Sequence, residues 1–142
     1  MRNVTVNFFA VLTMVVVLAS CSKNQKVVKD LEGNWRVVEM IRNDTTIDQS
    51  VYANDVYTFE KCKVEKEDCS GKIATEFLGA QLVIPFTYSI REDGKTIKII
   101  WSLNGTTQTS EGNITEQNDK RIVIEEPNDI NGDNTKTTLE KK

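Results

Sequence analysis

Apolar side chains that recur at every second position in the middle of the chain place the strongest constraint on its fold. Apolar residues occupy every second position from 82 to 90, and again from 97 to 103. Because successive side chains of a strand point to opposite faces, each run predicts a strand with one apolar face. The turn signal at residues 92–95 joins the two strands into a predicted hairpin. Pro85 cannot donate a backbone hydrogen bond, which predicts a bulge or a sheet edge.

Six further segments carry strand patterns, separated by short turn-forming stretches such as Asn104-Gly105. They cover approximately residues 35–42, 55–62, 71–78, 107–116, 121–125 and 135–140. Short connections favour antiparallel neighbours, and eight such strands most simply close into a barrel without sheet edges. We therefore expect an all-β fold, an eight-stranded antiparallel up-and-down barrel. An open sandwich of the same strands is the alternative.

The composition narrows the range of functions. The chain contains no histidine, which is the commonest general base and a frequent zinc ligand. No nucleophile–base pair or metal-ligand pattern is evident either, so we expect no enzyme, no catalytic residue, no metal and no cofactor. A net charge of −3 disfavours nucleic acid as a partner. The length suits one domain, which we expect to be a monomer.

Residues 1–20 have the organisation of a signal peptide. A basic start at Arg2 precedes an apolar run that is too short for a comfortable membrane span. The run ends in Leu-Ala-Ser-Cys at residues 18–21, which resembles a bacterial lipobox. The resemblance implies that Cys21 becomes the acylated N-terminus of a lipoprotein anchored in the cell envelope. Ser22 in the next position implies sorting to the outer membrane, on either face. A buried helix followed by an incidental cysteine is the alternative.

The mature chain is expected to have two parts. Residues 21–30 are polar and basic without a packed pattern, which predicts an acylated N-terminus and a flexible tether. Residues 31–142 are expected to form the barrel domain.

Cys62 and Cys69 are the cysteines that remain once Cys21 is acylated. In an envelope compartment, where disulfides persist, a bridge between them is favoured over a metal site. The bridge would close the short charged loop between the two cysteines.

Gly33-Asn34-Trp35 opens the first predicted strand and resembles the G-x-W motif of the lipocalin family. The whole pattern is similar to small lipocalin-like bacterial lipoproteins over roughly residues 30 to 141. The resemblance implies that Gly33 and Trp35 belong to the closed bottom of the barrel, with an arginine packed across the tryptophan. Arg121 is the candidate arginine, and Arg91 is the alternative.

The same resemblance implies non-covalent binding of a small apolar or amphipathic ligand inside the barrel. The side chains expected to line that site are aromatic or aliphatic: Tyr57, Phe59, Phe86, Tyr88, Ile99 and Trp101. The alternative is that these residues fill a solid core. The protein would then be a non-enzymatic interaction module that docks another envelope protein.

The segment Asp129–Asp133 places oxygen-bearing side chains at alternate positions, as the first half of an EF-hand calcium loop does. Asn134 stands where that loop requires glycine, and no helix is predicted on either side. A hairpin turn is therefore the favoured interpretation.

Overall fold

The computed structural model describes residues 22–63 and 68–142. Within these ranges the first element is a helix, α1 (Lys23–Leu31), and nine strands follow it. The strands are β1 (Gly33–Arg42), β2 (Thr45–Thr46), β3 (Val56–Phe59), β4 (Cys69–Phe77), β5 (Ala80–Arg91), β6 (Thr96–Leu103), β7 (Thr106–Gln117), β8 (Arg121–Glu126) and β9 (Thr135–Lys141). Single 3-10 turns lie at Gln49–Val51 and Glu92–Gly94. The helices of the described ranges are too short or too polar to cross a membrane.

The eight long strands form a closed barrel. They pair in the order β1, β3, β4, β5, β6, β7, β8 and β9, all antiparallel, and β1 also pairs with β9. The two-residue strand β2 folds back on the end of β1, through a tight turn at Asn43 and Asp44 with positive φ at both residues. This topology confirms the predicted eight-stranded antiparallel up-and-down barrel, which is the arrangement of lipocalins.

Two bulges and one proline adjust the strands to the curvature of the barrel. The register shifts between Val37 and Glu39 in β1 and between Ile114 and Glu116 in β7, and such bulges increase bending and twist. Pro85 follows the regular register with β4, but the pairing of β5 with β6 begins one residue later, at Phe86. The proline therefore lies where β5 has a free edge, as the sequence indicated.

The strand bounds agree closely with those predicted from the alternation. The largest difference between predicted and observed bounds lies beside the cysteines. β3 ends at Phe59, whereas the pattern predicted a strand as far as residue 62. After Glu60, whose amide N–H donates to the carbonyl of Ser70, the chain leaves the sheet. A disulfide joins Cys62 to Cys69, with a Cα–Cα distance of 5.5 Å, which confirms the predicted bridge.

The segment predicted as a flexible tether is a helix in the structure. Ser22 caps α1 by accepting a hydrogen bond from the Gln25 amide, and Val27, Val28 and Leu31 are buried on one face. The tether prediction was wrong because it weighed the lysines and overlooked this apolar stripe at helical spacing. Residues 1–21, including the predicted signal peptide and Cys21, lie outside the described residues.

Helix α1 covers one end of the barrel, which we call the closed end. The Nε1–H group of Trp35 donates to the carbonyl of Leu31 over 2.6 Å, and Lys141 Nζ donates to the carbonyl of Asp30. Gly94 lets the helix approach, because a Cβ there would lie 2.7 Å from a methyl group of Val27 and φ is +85°. The packing makes α1 part of the barrel domain.

Candidate ligand-binding cavity

A cavity of about 280 Å³ lies inside the barrel at the end opposite α1. This open end is formed by the last residues of β1 and β8, the first residues of β9, and the loop between β8 and β9. The volume is just below the usual range of small-molecule sites, about 300–1,000 Å³. The lining comes from every barrel strand except β5, and from that loop: Met40, Arg42, Tyr57, Phe59, Ile73, Ile99, Trp101, Ser110, Ile124, Glu126, Asp129, Ile130, Asn131, Thr135, Thr137 and Leu139.

Most of the cavity wall is apolar. Ile73, Ile99 and Trp101 belong to the half-buried side chains that pack against the hydrophobic core and still face the cavity. Of the six side chains expected to line a ligand site, Tyr57, Phe59, Ile99 and Trp101 are in this wall.

Phe86 and Tyr88 are the two expected residues that do not line the cavity. Both are buried in a cluster of edge-to-face rings, with their centroids 5.5 Å and 5.0 Å from that of Phe59. The ring of Phe86 lies against Gly71, where any larger residue would clash. These buried rings occupy the middle of the barrel next to Phe59, and the cavity lining does not extend to Phe86 or Tyr88.

The Tyr88 hydroxyl is a polar group inside this cluster, and it has no hydrogen-bond partner among the described residues. Burial, with a smaller contribution from the Glu32 carboxylate, raises the pKa of Tyr88 to about 12. The hydroxyl therefore remains protonated throughout the physiological pH range.

The G-x-W motif lies at the closed end, but the cationic side chain that packs against its tryptophan is not the predicted arginine. Trp35 is fully buried, and Lys141 Nζ lies 5.2 Å from its ring centroid. Arg121 instead forms ion pairs with Glu116 and Glu140, at 3.4 and 3.5 Å, and its side chain is about 40% exposed. The prediction of Arg121 over the tryptophan was wrong, because β9 brings Lys141 opposite Trp35 in the register. Arg91, the alternative, is exposed at the end of β5.

A carboxylate lies in the wall of the otherwise apolar cavity. Glu126 is half-buried at the end of β8, and its Oε2 accepts a hydrogen bond from the Ser110 hydroxyl at 2.5 Å. Burial raises the pKa of the Glu126 carboxyl, the hydrogen bond from Ser110 lowers it, and the Asp129 charge raises it further; the net shift is upward.

The Tyr57 hydroxyl shares this polar region. Burial is the main cause that raises the pKa of Tyr57, and the carboxylates of Asp55 and Glu126 add to it. Tyr57 is therefore a neutral phenol in the cavity wall, able to donate or accept a hydrogen bond.

Arg42 contributes a positive charge to the cavity lining. Its Nε lies 3.9 Å from the Asp133 carboxylate, and that buried nitrogen makes no hydrogen bond within the described part of the chain. Asp133 therefore offsets the charge of Arg42 at the rim of the cavity.

The segment Asp129–Asp133 forms the predicted hairpin turn. The Asp129 carboxylate accepts hydrogen bonds from the amides of Asn131 and Asp133 and from the Thr135 hydroxyl. These bonds are among the causes that leave the pKa of Asp129 below its usual value, although burial opposes them. Within residues 22–63 and 68–142, no three His, Cys, Asp or Glu side chains form a group that could hold a metal ion.

The polar lining was missed at the sequence level, although part of it had a signal. Glu126 follows Ile122 and Ile124 at a spacing of two, so the alternation of β8 already places it on the inner face. Arg42 had no such signal, because the bulge between Val37 and Glu39 reverses the alternation that starts at Trp35.

Comparison with known proteins yields matches at the level of structure. No family model and no curated protein sequence matches the chain. A redesigned β-barrel is similar with a TM-score of 0.55 and 15% identity, over 82% of this chain and 95% of that one. A deswapped triple mutant of bovine odorant binding protein has a TM-score of 0.47 and 15% identity, over 78% and 71% of the two chains. The similarity to the redesigned β-barrel supports the barrel fold. The cavity at the open end is the candidate binding site of this barrel.

Proposed function

We propose that the protein binds a small apolar or amphipathic molecule, without a covalent bond, in the cavity at the open end. The observation that carries the proposal is an accessible cavity of about 280 Å³ with an apolar wall inside the barrel. Transfer of an apolar ligand from water to such a wall is favourable in proportion to the area that it buries. No catalytic role is proposed.

We also propose that the protein is a lipoprotein of the cell envelope, anchored through Cys21 after removal of residues 1–20. The sequence Leu-Ala-Ser-Cys supports this proposal. Helix α1 begins two residues after Cys21 and covers the closed end. An anchor at Cys21 would therefore leave the cavity on the side of the domain that faces away from the membrane.

The binding proposal is tested by the intact mass of the full chain recovered from its native host, under native and denaturing conditions. We expect an excess mass that disappears on denaturation. Ile99→Trp, which fills the cavity, should remove the excess. The control is Ile100→Trp, the same substitution at the neighbouring position on the outer face of β6. Equal native and denatured masses, together with no heat on titration with small amphiphiles, would contradict the proposal.

A second candidate function is docking of another envelope protein at the open end. All the exposed large apolar side chains of the described residues lie on the loops and strand ends of that end: Val51, Leu78, Leu82, Val83, Leu103 and Ile130. Leu78, at the β4–β5 turn, is 90% exposed. Co-purification of one envelope protein that is lost in Leu78→Ser and retained in Ile99→Trp would favour docking over ligand binding.

A further inference from the structure

We infer that the ligand carries one positive charge beside an apolar body, and that the Glu126 carboxylate binds that charge. The inference rests on the proposed binding function and names the chemical class of the ligand. It follows from the position of Glu126, from its lack of a cationic partner among the described residues, and from the aromatic wall beside it.

The barrel holds Glu126 in place toward the cavity. Ser110 on the neighbouring strand fixes Oε2, and Oε1 has no hydrogen-bond partner among the residues described. Gly112 makes space for this arrangement, because a Cβ there would lie 2.9 Å from Cγ of Glu126 and 2.5 Å from a methyl group of Ile124. One carboxylate oxygen is therefore fixed and the other is available to a ligand.

The charges around the cavity leave Glu126 without compensation. Among the residues that the structure describes, the lining contains one cation, Arg42, and two carboxylates, Glu126 and Asp129. Arg42 faces Asp133, and hydrogen bonds from its own turn occupy Asp129. Glu126 takes part in none of the ion pairs of the described residues. A half-buried carboxylate without a partner is stabilised by a ligand that brings the opposite charge.

The wall next to Glu126 suits the same ligand. Tyr57, Phe59 and Trp101 line the cavity together with Glu126, and aromatic faces attract ammonium groups more strongly than neutral polar groups. The apolar side chains Ile73, Ile99 and Ile124 can cover the uncharged part of the molecule. The upward shift of the Glu126 pKa agrees with this assignment, since it reflects the desolvation that a bound cation would offset.

Three probes of nearly equal size test the inference by isothermal titration at pH 7. They are 2-phenylethylamine, 2-phenylethanol and phenylacetate, which carry an ammonium group, a neutral hydroxyl and a carboxylate on the same phenyl body. We expect the amine to bind about tenfold more tightly than the alcohol, because hydrogen bonds to charged groups are the stronger ones. Glu126→Gln should reduce the affinity for the amine by about tenfold and change that for the alcohol less than about twofold.

Glu125→Gln is the matched control. It removes the same charge from the neighbouring residue, which faces outward and pairs with Lys136 at 3.9 Å. Affinity for the amine should be the same in this variant as in the wild type.

The outcomes separate the two proposals. Equal binding of the three probes, or tightest binding of phenylacetate through Arg42, would overturn the assignment of a cationic ligand and leave the binding function standing. Binding of none of the three would overturn the cationic assignment, and equal native and denatured masses in addition would overturn the binding function. Equal loss of amine and alcohol affinity in Glu126→Gln would show that the residue shapes the cavity and does not bind the charge.

Discussion

The binding role that we propose for Glu126 comes at a cost to stability. Its neighbours Ile122 and Ile124 on the inner face of β8 are buried apolar residues, whereas Glu126 places a carboxylate in the same row. Desolvation raises the pKa of that carboxyl in the folded protein. The charged form is therefore less favourable in the folded state than in the unfolded chain.

The pH dependence of stability follows from this shift. A carboxyl whose folded pKa is raised destabilises the folded protein as the pH rises from the unfolded pKa, about 4.3 for glutamate, through the folded pKa. We expect Glu126→Gln to be more stable than the wild type at pH 7 and nearly equal to it at or below about pH 4. Urea unfolding of both proteins without ligand, at the two pH values, measures the difference. A variant that is equally destabilised at both pH values would show that packing and the Ser110 hydrogen bond outweigh the charge.

At the scale of elements, the strands could be predicted and the helix could not. Period-two alternation defines a strand locally, and the pattern over residues 97–103 predicted β6, Thr96–Leu103, to within one residue. Helix α1 has only nine residues and is mostly polar. Isolated helices of that length are marginal in water, so tertiary contacts decide whether they form. Those contacts come from Trp35, just beyond the helix in β1, and from Lys141 at the far end of the chain, and the helical segment by itself indicates neither of them.

The candidate site was predictable only where the alternation is uninterrupted. Ile99 and Trp101 lie on a regular strand and could be placed inside the barrel. The bulge in β1 reverses the alternation before Met40 and Arg42. Only the pairing of β1 with β9 in the structure reveals this bulge. Phe86 and Tyr88 do point inward, but the sequence could not show that their rings meet Phe59 and fill the space below the cavity.

The contribution of α1 can be measured with one buried residue. Leu31 is fully buried between the helix and the barrel. We expect Leu31→Ala to lower the free energy of unfolding by roughly 2–5 kcal/mol, because it leaves a cavity in a packed interface. Lys29→Ala, at an exposed position of the same helix, is the control and should change stability by less than about 0.5 kcal/mol. Similar small effects for both variants in denaturant unfolding would mean that α1 is not docked.

The disulfide stabilises the connection between β3 and β4, at the closed end of the barrel. On the chain-entropy model, a loop this short contributes roughly 2–3 kcal/mol. We expect the double substitution Cys62→Ser and Cys69→Ser to lower the free energy of unfolding by that amount. Affinity for 2-phenylethylamine should be unchanged, since neither cysteine lines the cavity. A large loss of affinity would show that the two ends of the barrel are coupled.

At the scale of the whole molecule, the two ends of the barrel have different chemistry. The closed end holds the helix, the buried Trp35 and the disulfide, and the rings of Phe59, Phe86 and Tyr88 fill the middle. The open end holds the cavity, its carboxylate and the exposed apolar side chains around it. Under the proposed function, the ligand binds at one end while the packing at the other end maintains the fold.

The most direct test of the central claim is to locate a bound probe within the barrel. Methyl-labelled isoleucines report on both ends, because Ile73, Ile99 and Ile124 line the cavity whereas Ile90 and Ile97 are buried outside it. On addition of 2-phenylethylamine, we predict that the NMR signals of the first three isoleucines shift in a saturable way and that those of Ile90 and Ile97 do not. Shifts spread evenly over both groups, or no shift at the cavity isoleucines, would contradict a binding site at the open end of the barrel.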